Sequence, residues 1–119
     1  MDNDLRVYSV ENYVKPSSEA SSKTILLETS DAIIAVWYVM TGQEIEAHIH
    51  PKGQDTWIVL EGNAIYYTGD GVNKPISKGQ VVVARPGEIH GVMNTSNEPL
   101  IFVSVLSPRD AGYKLSTDK

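Results

Sequence analysis

Two histidines separated by a single residue, His48 and His50, are the strongest chemical feature of this 119-residue chain. Side chains in a β-strand alternate between the two faces, so these imidazoles point the same way with Cα atoms about 7 Å apart. That separation allows both rings to reach one ion. We therefore expect a metal site within the segment from Gly42 to Gly62.

A carboxylate follows the histidine pair at a suitable distance. Residues 51–54 predict a four-residue hairpin loop, and residues 56–60 are rich in the residues that favour a returning strand. In such a hairpin Asp55 lies directly opposite His50, on the same face, with Cβ atoms about 5 Å apart. Asp55 is therefore predicted as a ligand beside the two imidazoles.

Neighbouring residues extend this prediction to a pocket. Gln54 lies in the loop or points away, and it is the alternative ligand, through its amide oxygen, if the register differs by one. Trp57 and Val59 share the face of Asp55 by alternation and are predicted to line the cavity. Arg85 is predicted either to bind an anionic substrate group or to be a solvated turn residue.

Composition limits the class of protein. The length predicts one domain, and 41% hydrophobic residues are enough for a core. The net charge of −5 and the scattered Lys and Arg argue against nucleic acid or an anionic membrane as partner. The chain contains no cysteine, so no thiolate serves as nucleophile or ligand. No signal peptide or apolar membrane span is visible, and we expect a soluble, cytoplasmic protein.

Many short β-prone segments, separated by Gly, Pro, Asn and Asp, predict an all-β sandwich or barrel. The predicted strands cover residues 24–29, 32–40, 56–60, 64–68, 74–77, 80–84, 90–94 and 100–107, with one or two short strands in 7–14. We expect a single domain spanning 1–119, with a barrel core at about 24–107, N-terminal strands and a loop in 1–23, and a tail in 108–119 with one helical turn in 110–115.

Two motifs in this order resemble those of the cupin superfamily. The first family motif, Gly-x5-His-x-His-x(3–4)-Glu-x6-Gly, matches at Gly42, His48, His50 and Gly62 and places Asp55 at the glutamate position. The second, Gly-x5-Pro-x-Gly-x2-His-x3-Asn, matches at Gly79, Gly87, His90 and Asn94. The chain departs from the pattern in two ways: Asp55 is one methylene shorter than Glu, and Arg85 stands where the family has proline, with Pro86 one residue later.

The resemblance implies a small jelly-roll barrel of two packed antiparallel sheets with a metal inside it. It adds His90 to the ligands, so that His48, His50, His90 and Asp55 hold the ion. Three imidazoles and one carboxylate suit a divalent transition metal such as Mn, Fe, Co, Ni, Cu or Zn. We also expect a homodimer, because a barrel of this size has a high surface-to-volume ratio and sheet edges that need cover, for which the β-prone segment 7–14 is a candidate. The resemblance implies the same.

Function is less constrained than fold, because cupins carry many activities. The leading hypothesis is a metal-dependent enzyme acting on a small molecule, by dioxygenase-like oxidation or by isomerisation and ring opening of sugar acids. The alternative is a non-catalytic module that binds or senses a metal-bound ligand.

Overall fold

The computed structural model describes residues 5–119. Within them the chain forms one short 3-10 helix, Val10–Tyr13, and ten strands. The strands are β1 (Ser22–Glu28), β2 (Ile33–Val39), β3 (Glu44–Ile49), β4 (Gln54–Glu61), β5 (Asn63–Tyr66), β6 (Lys74–Ser77), β7 (Val81–Ala84), β8 (His90–Met93), β9 (Leu100–Ser107) and β10 (Lys114–Leu115). No helix within the described range is long and apolar enough to cross a membrane.

The strands form two five-stranded antiparallel sheets. The first, sheet A, has the order β1-β2-β9-β4-β7, and the second, sheet B, has the order β10-β3-β8-β5-β6. Neighbours in each sheet are mostly distant in sequence, as in a jelly roll, where the chain passes repeatedly between the sheets. This confirms the predicted all-β jelly-roll fold.

The core lies between the sheets and follows from the alternation of side chains. Along β4 the buried residues Asp55, Trp57 and Val59 alternate with Gln54 and Ile58, which are exposed. The Trp57 ring stacks on Phe102 of β9, with ring centroids 4.2 Å apart. The inward faces of both sheets therefore form one interior, and a polar residue on such a face must find its partners there.

The predicted hairpin after His50 is wrong. Strand β3 pairs with β8 and β10, whereas β4 pairs with β7 and β9 in the other sheet. The turn after His50 thus carries the chain across the barrel, and Gly53 packs so closely that a Cβ there would lie 2.3 Å from the Cβ of Ala111. Asp55 and His50 still converge. The reason is that their side chains face the interior from opposite sheets, and not that they are paired in one hairpin.

Both ends of the described chain also differ from the prediction. Residues 10–13 form the 3-10 helix in place of a strand, since the amide of Asn12 bonds back to the carbonyl of Ser9 at 3.0 Å. The predicted C-terminal helical turn is instead a short strand, β10, paired with β3. An edge strand can acquire a partner from a distant segment, which local propensity does not reveal. Residues 1–4 of the predicted N-terminal segment lie outside the described range.

Candidate metal centre

Strands of sheet B bring the three imidazoles together. His48 on β3 is directly paired with His90 on β8, and their ring centroids are 4.0 Å apart. His50 follows the end of β3, with its ring centroid 5.0 Å from that of His48 and 5.1 Å from that of His90. All three histidines are buried.

Main-chain carbonyl groups orient each ring. The Nδ1 atoms lie 2.7 Å from the Glu46 oxygen for His48, 2.7 Å from the Gly112 oxygen for His50, and 3.2 Å from the Glu88 oxygen for His90. A carbonyl only accepts, so Nδ1 carries the proton that is donated. In the neutral ring the Nε2 atom then has a free lone pair, which is the arrangement seen in histidines that bind metals.

Asp55 reaches the imidazoles from sheet A. Its Oδ2 atom lies 3.1 Å from Nε2 of His90 and 3.6 Å from Nε2 of His50. Ligand atoms from all four residues lie within 4.8 Å of one another. Adjacent ligands about 2.1 Å from one ion are about 3 Å apart, and opposite ones about 4.2 Å. The spacing is therefore that of a coordination shell.

The protonation states agree with ligation. Burial, and next the charge of His90, lowers the pKa of His48 to about 4. Burial also lowers the pKa of His50, but hydrogen bonds to Asp55 and to the Gly112 carbonyl outweigh this effect and raise its pKa above the usual value. Burial favours the neutral form of Asp55, yet hydrogen bonds from His50 and His90 lower its pKa well below the usual range. At neutral pH the site therefore offers an ionised carboxylate and the neutral ring of His48.

The donor set fits a divalent transition metal. Asp55 is 7% exposed, and its second oxygen, Oδ1, has no hydrogen-bond partner among the described residues. A buried, ionised carboxylate that is incompletely bonded is costly unless a cation compensates it. Nitrogen donors with one carboxylate suit the first-row ions from Mn to Zn.

A cavity of about 300 Å³ opens beside His48, His50 and Asp55. Most of its wall is apolar and is formed by Ile33, Ala35, Trp37, Ile45, Trp57 and Leu106. The polar groups of the wall, apart from His48, His50 and Asp55, belong to Lys23, Ser104 and Tyr113. A small molecule in this cavity would contact His48, His50 and Asp55 on one side and mainly apolar side chains on the other.

Of the four residues predicted for the pocket, only Trp57 lines it. Gln54 is exposed and donates to the hydroxyl of Thr56 at 3.1 Å, because alternation turns it away from Asp55. Val59 faces inward but is packed in the apolar core. Arg85 lies in an outward turn after β7, where its Nη1 is 3.7 Å from Oε1 of Glu88. The predicted wall is corrected in these three positions.

Both ends of the chain contribute residues to the site that the sequence motifs do not predict. Gly112, in the predicted tail, orients His50, and Tyr113 beside it stacks on His48 with ring centroids 5.2 Å apart. Lys23, on the first strand, reaches the cavity. None of these three lies in a motif, and only the pairing of β10 with β3 and of β1 with β2 brings them to the site.

Comparisons with known proteins agree with this fold and site. The family model described as Cupin domain matches residues 35–106. The crystal structure of a conserved protein with a double-stranded beta-helix domain from Klebsiella pneumoniae superposes on this chain with a TM-score of 0.91. The two sequences are 43% identical, and the match covers 97% of this chain and 100% of that protein's chain. The chain belongs to the cupin family.

More distant relatives show how far the likeness extends. A germin-like protein from Mesembryanthemum crystallinum is 36% identical over an alignment of 76 residues, and the match covers 55% of this chain and 32% of that protein. The chain therefore matches only about a third of the length of that curated relative. A predicted oxalate decarboxylase from Thermotoga maritima is 24% identical over 80% of this chain and 98% of its own, with a TM-score of 0.68. At that identity the likeness concerns the fold alone.

Proposed function

We propose that this cupin is a metal-dependent enzyme that acts on a small molecule. A divalent transition metal would be held by His48, His50, His90 and Asp55. The observation that carries the proposal is the convergence of His48, His50, Asp55 and His90, whose ligand atoms lie within 4.8 Å of one another; the first three of them line a cavity. Buried polar groups with a purely structural role are normally hydrogen-bonded in full, whereas Asp55 is not.

The chain's own residues would perform three tasks in such an enzyme. The carbonyls of Glu46, Gly112 and Glu88 keep the imidazoles aligned. Asp55 supplies negative charge at the centre, and the apolar wall limits the access of water to the substrate. The bound ion would supply Lewis-acid chemistry at a substrate oxygen or, if it is Fe or Mn, one-electron chemistry.

Among the reactions considered, we place dioxygenase-like oxidation first. The wall formed by β2, β4 and β9 is predominantly apolar and suits a substrate whose body is apolar. Isomerisation or ring opening of a sugar acid comes second, because several substrate hydroxyls would need partners. The hydroxyls of Ser104 and Tyr113 are the hydroxyl groups that the cavity wall offers, beside the indole N–H groups of Trp37 and Trp57.

The alternative, a module that binds a ligand at the metal without turnover, uses the same residues. One observation favours it: Asp55, the carboxylate of the cavity wall, is one of the ligand groups, and its Oδ2 lies 3.1 Å from Nε2 of His90 and 3.6 Å from Nε2 of His50. A general base must be free to accept a proton from the substrate. The two functions therefore differ in turnover and not in the site.

Metal analysis of the purified protein, followed by activity screens, tests the proposal. We expect about one divalent ion per chain, lost in His90→Ala, and turnover in assays of oxygen uptake or of sugar-acid conversion. The protein loaded with Fe or Mn is compared with the zinc form, which has no redox chemistry. Absence of bound metal after reconstitution would contradict the proposal. Tight ligand binding without turnover by any metal form would favour the alternative.

We also propose that the protein is a homodimer. A 13.1 kDa barrel has a high ratio of surface to volume. Three apolar side chains on the paired strands β4 and β7, Ile58, Val81 and Val83, are 39%, 60% and 39% exposed. Light scattering should give about twice the chain mass, and Val81→Lys should lower it. A monomer mass at all concentrations would contradict the proposal.

A further inference from the structure

Lys23 differs from the other lysines of the protein in its position. It is directly paired with Trp37 across β1 and β2, and directly paired residues in an antiparallel sheet share a face. Trp37 belongs to the wall of the cavity. The register therefore places a permanent cation on the inner face of sheet A, at the edge of the cavity, although the residue itself remains exposed.

An aromatic ring fixes the ammonium group there. The Nζ atom lies 5.8 Å from the centroid of the Trp37 ring, within the range of a cation–π contact. Among the described residues this ammonium group forms no ion pair, whereas Lys78 pairs with Glu61 and Lys119 with Glu44. The charge of Lys23 is thus held at the cavity and remains available to a ligand.

The charges around the cavity favour an anion. The protein as a whole carries a net charge of −5. The charged side chains of the cavity wall are Lys23 and Asp55, apart from the histidines. With a divalent ion bound, the local sum is positive, in contrast to the rest of the molecule. A positively charged pocket in an acidic protein attracts and orients small anions.

We propose that the substrate or ligand of this site is a small organic acid with an apolar body, and that Lys23 determines its specificity by pairing with the anionic group. This inference rests on the proposed function, since the positive charge of the pocket includes that of the metal. The apolar body would contact Trp37, Trp57 and Leu106, and the hydroxyl of Ser104 would be in reach of a polar substituent. Lys23, and not Arg85, is therefore the residue that we expect to bind the anionic group of the substrate.

The inward position of Lys23 could also have a purely structural explanation. An inward-pointing charge on an edge strand also protects the sheet from pairing with other chains. Strand β1 is an edge of sheet A. If protection were the only role of Lys23, its replacement would promote association of the protein and would leave ligand binding unchanged.

Binding of model ligands to the zinc-loaded protein distinguishes these cases. The probes are phenylacetate, its neutral analogue phenylacetamide, and gluconate, which carries the same charge on a hydroxylated body. Zinc content is measured first, and binding is then followed by calorimetry and by the fluorescence of the cavity tryptophans. We expect phenylacetate to bind at least about 10-fold more tightly than the amide, because a charge-assisted contact is lost, and more tightly than gluconate.

Variants locate the effect. Lys23→Met keeps the unbranched stem and removes the charge, and it should weaken phenylacetate binding about 5- to 10-fold with little effect on the amide. Lys23→Arg should restore most of the affinity. Lys78→Met, at an exposed ion pair away from the cavity, is the matched control and should bind like the wild type.

The outcomes separate this inference from the proposed function. A protein that does not retain zinc would overturn both. A zinc-loaded protein that binds the acid and the amide equally, or binds phenylacetate normally after Lys23→Met, would overturn the inference alone. Preference for gluconate over phenylacetate would overturn the apolar substrate class.

Discussion

The buried polar side chains at the two ends of strand β8 differ in how completely they are hydrogen-bonded. At one end Asn94 is 0% exposed, and its amide nitrogen donates to the carbonyls of Val39 and Glu98 at 2.9 and 2.8 Å. Its Oδ1 accepts from the amide and the hydroxyl of Ser96 at 2.9 and 2.7 Å. At the other end His90 meets Asp55, whose Oδ1 has no partner among the described residues.

This difference between Asn94 and Asp55 distinguishes a buried polar residue that stabilises the fold from one that is available to bind an ion. Asn94 uses its full bonding capacity inside the protein and so contributes to stability. Asp55, in contrast, keeps an oxygen without a hydrogen-bond partner among the described residues, at the position where a cavity opens. We therefore expect changes at the Asp55 end to alter metal binding and changes at the Asn94 end to alter the free energy of unfolding.

Removal of a histidine should have the largest effect on metal binding. We expect His48→Ala, His50→Ala or His90→Ala each to lower metal affinity by more than about 100-fold, since the loss of a group that only positions a ligand already costs 10- to 100-fold. Elemental analysis of the dialysed variants measures bound metal, and circular dichroism checks that each remains a folded β protein. Full metal content in any one variant would exclude that histidine as a ligand.

Asn94→Ala should lower the stability of the fold and leave metal binding unchanged. The change leaves the carbonyls of Val39 and Glu98 without their donor and creates a small cavity, so we expect the free energy of unfolding to fall by about 2–4 kcal/mol. Denaturant titration measures it. Metal content per folded chain should stay near that of the wild type. A loss of metal without a loss of stability would mean that the two ends are not independent.

The motifs were sufficient to predict the fold and the four grouped residues, because ligand spacing along strands is a local property. The hairpin was predicted wrongly because a short loop can also join strands of two different sheets, and long-range pairing decides between the two arrangements. Asp55 nevertheless faces the histidines, since alternation determines inward direction whichever sheet holds the strand. Lys23 and Tyr113 are brought in by strand pairing over long sequence distances, which local patterns do not encode.

Asp55 is the residue at which this chain departs from the cupin motif, and its replacement should have an intermediate effect. Asp55→Ala removes the only formal charge among the four ligands, so we expect a loss of metal affinity of about 10- to 100-fold, smaller than that of the histidine variants. Asp55→Glu should retain the metal. Gln54→Ala, the matched control on the outer face of the same strand, should change little; loss of metal in this variant alone would make Gln54 the fourth ligand.

The smallest expected effect is that of pH on metal affinity, and it is specific to the histidines and Asp55. Imidazole must be neutral to bind a metal, so protons compete with the ion. The raised pKa of His50 means that competition begins above the ordinary histidine value of 6.5, whereas His48, with a pKa of about 4, remains neutral until the solution is strongly acidic. We therefore expect zinc affinity to fall as the pH decreases from 8 to 6, and zinc binding at pH 7 to release protons.

Calorimetry in two buffers of different ionisation enthalpy measures the protons released, and Asp55→Asn identifies their source. The carboxylate raises the pKa of His50, so its loss should lower that pKa and reduce the protons released at pH 7, even as zinc binds more weakly. Asn94→Ala should release as many protons as the wild type, because no contact joins Asn94 to the imidazoles. Proton release unchanged in Asp55→Asn would show that the carboxylate does not set the charge of His50.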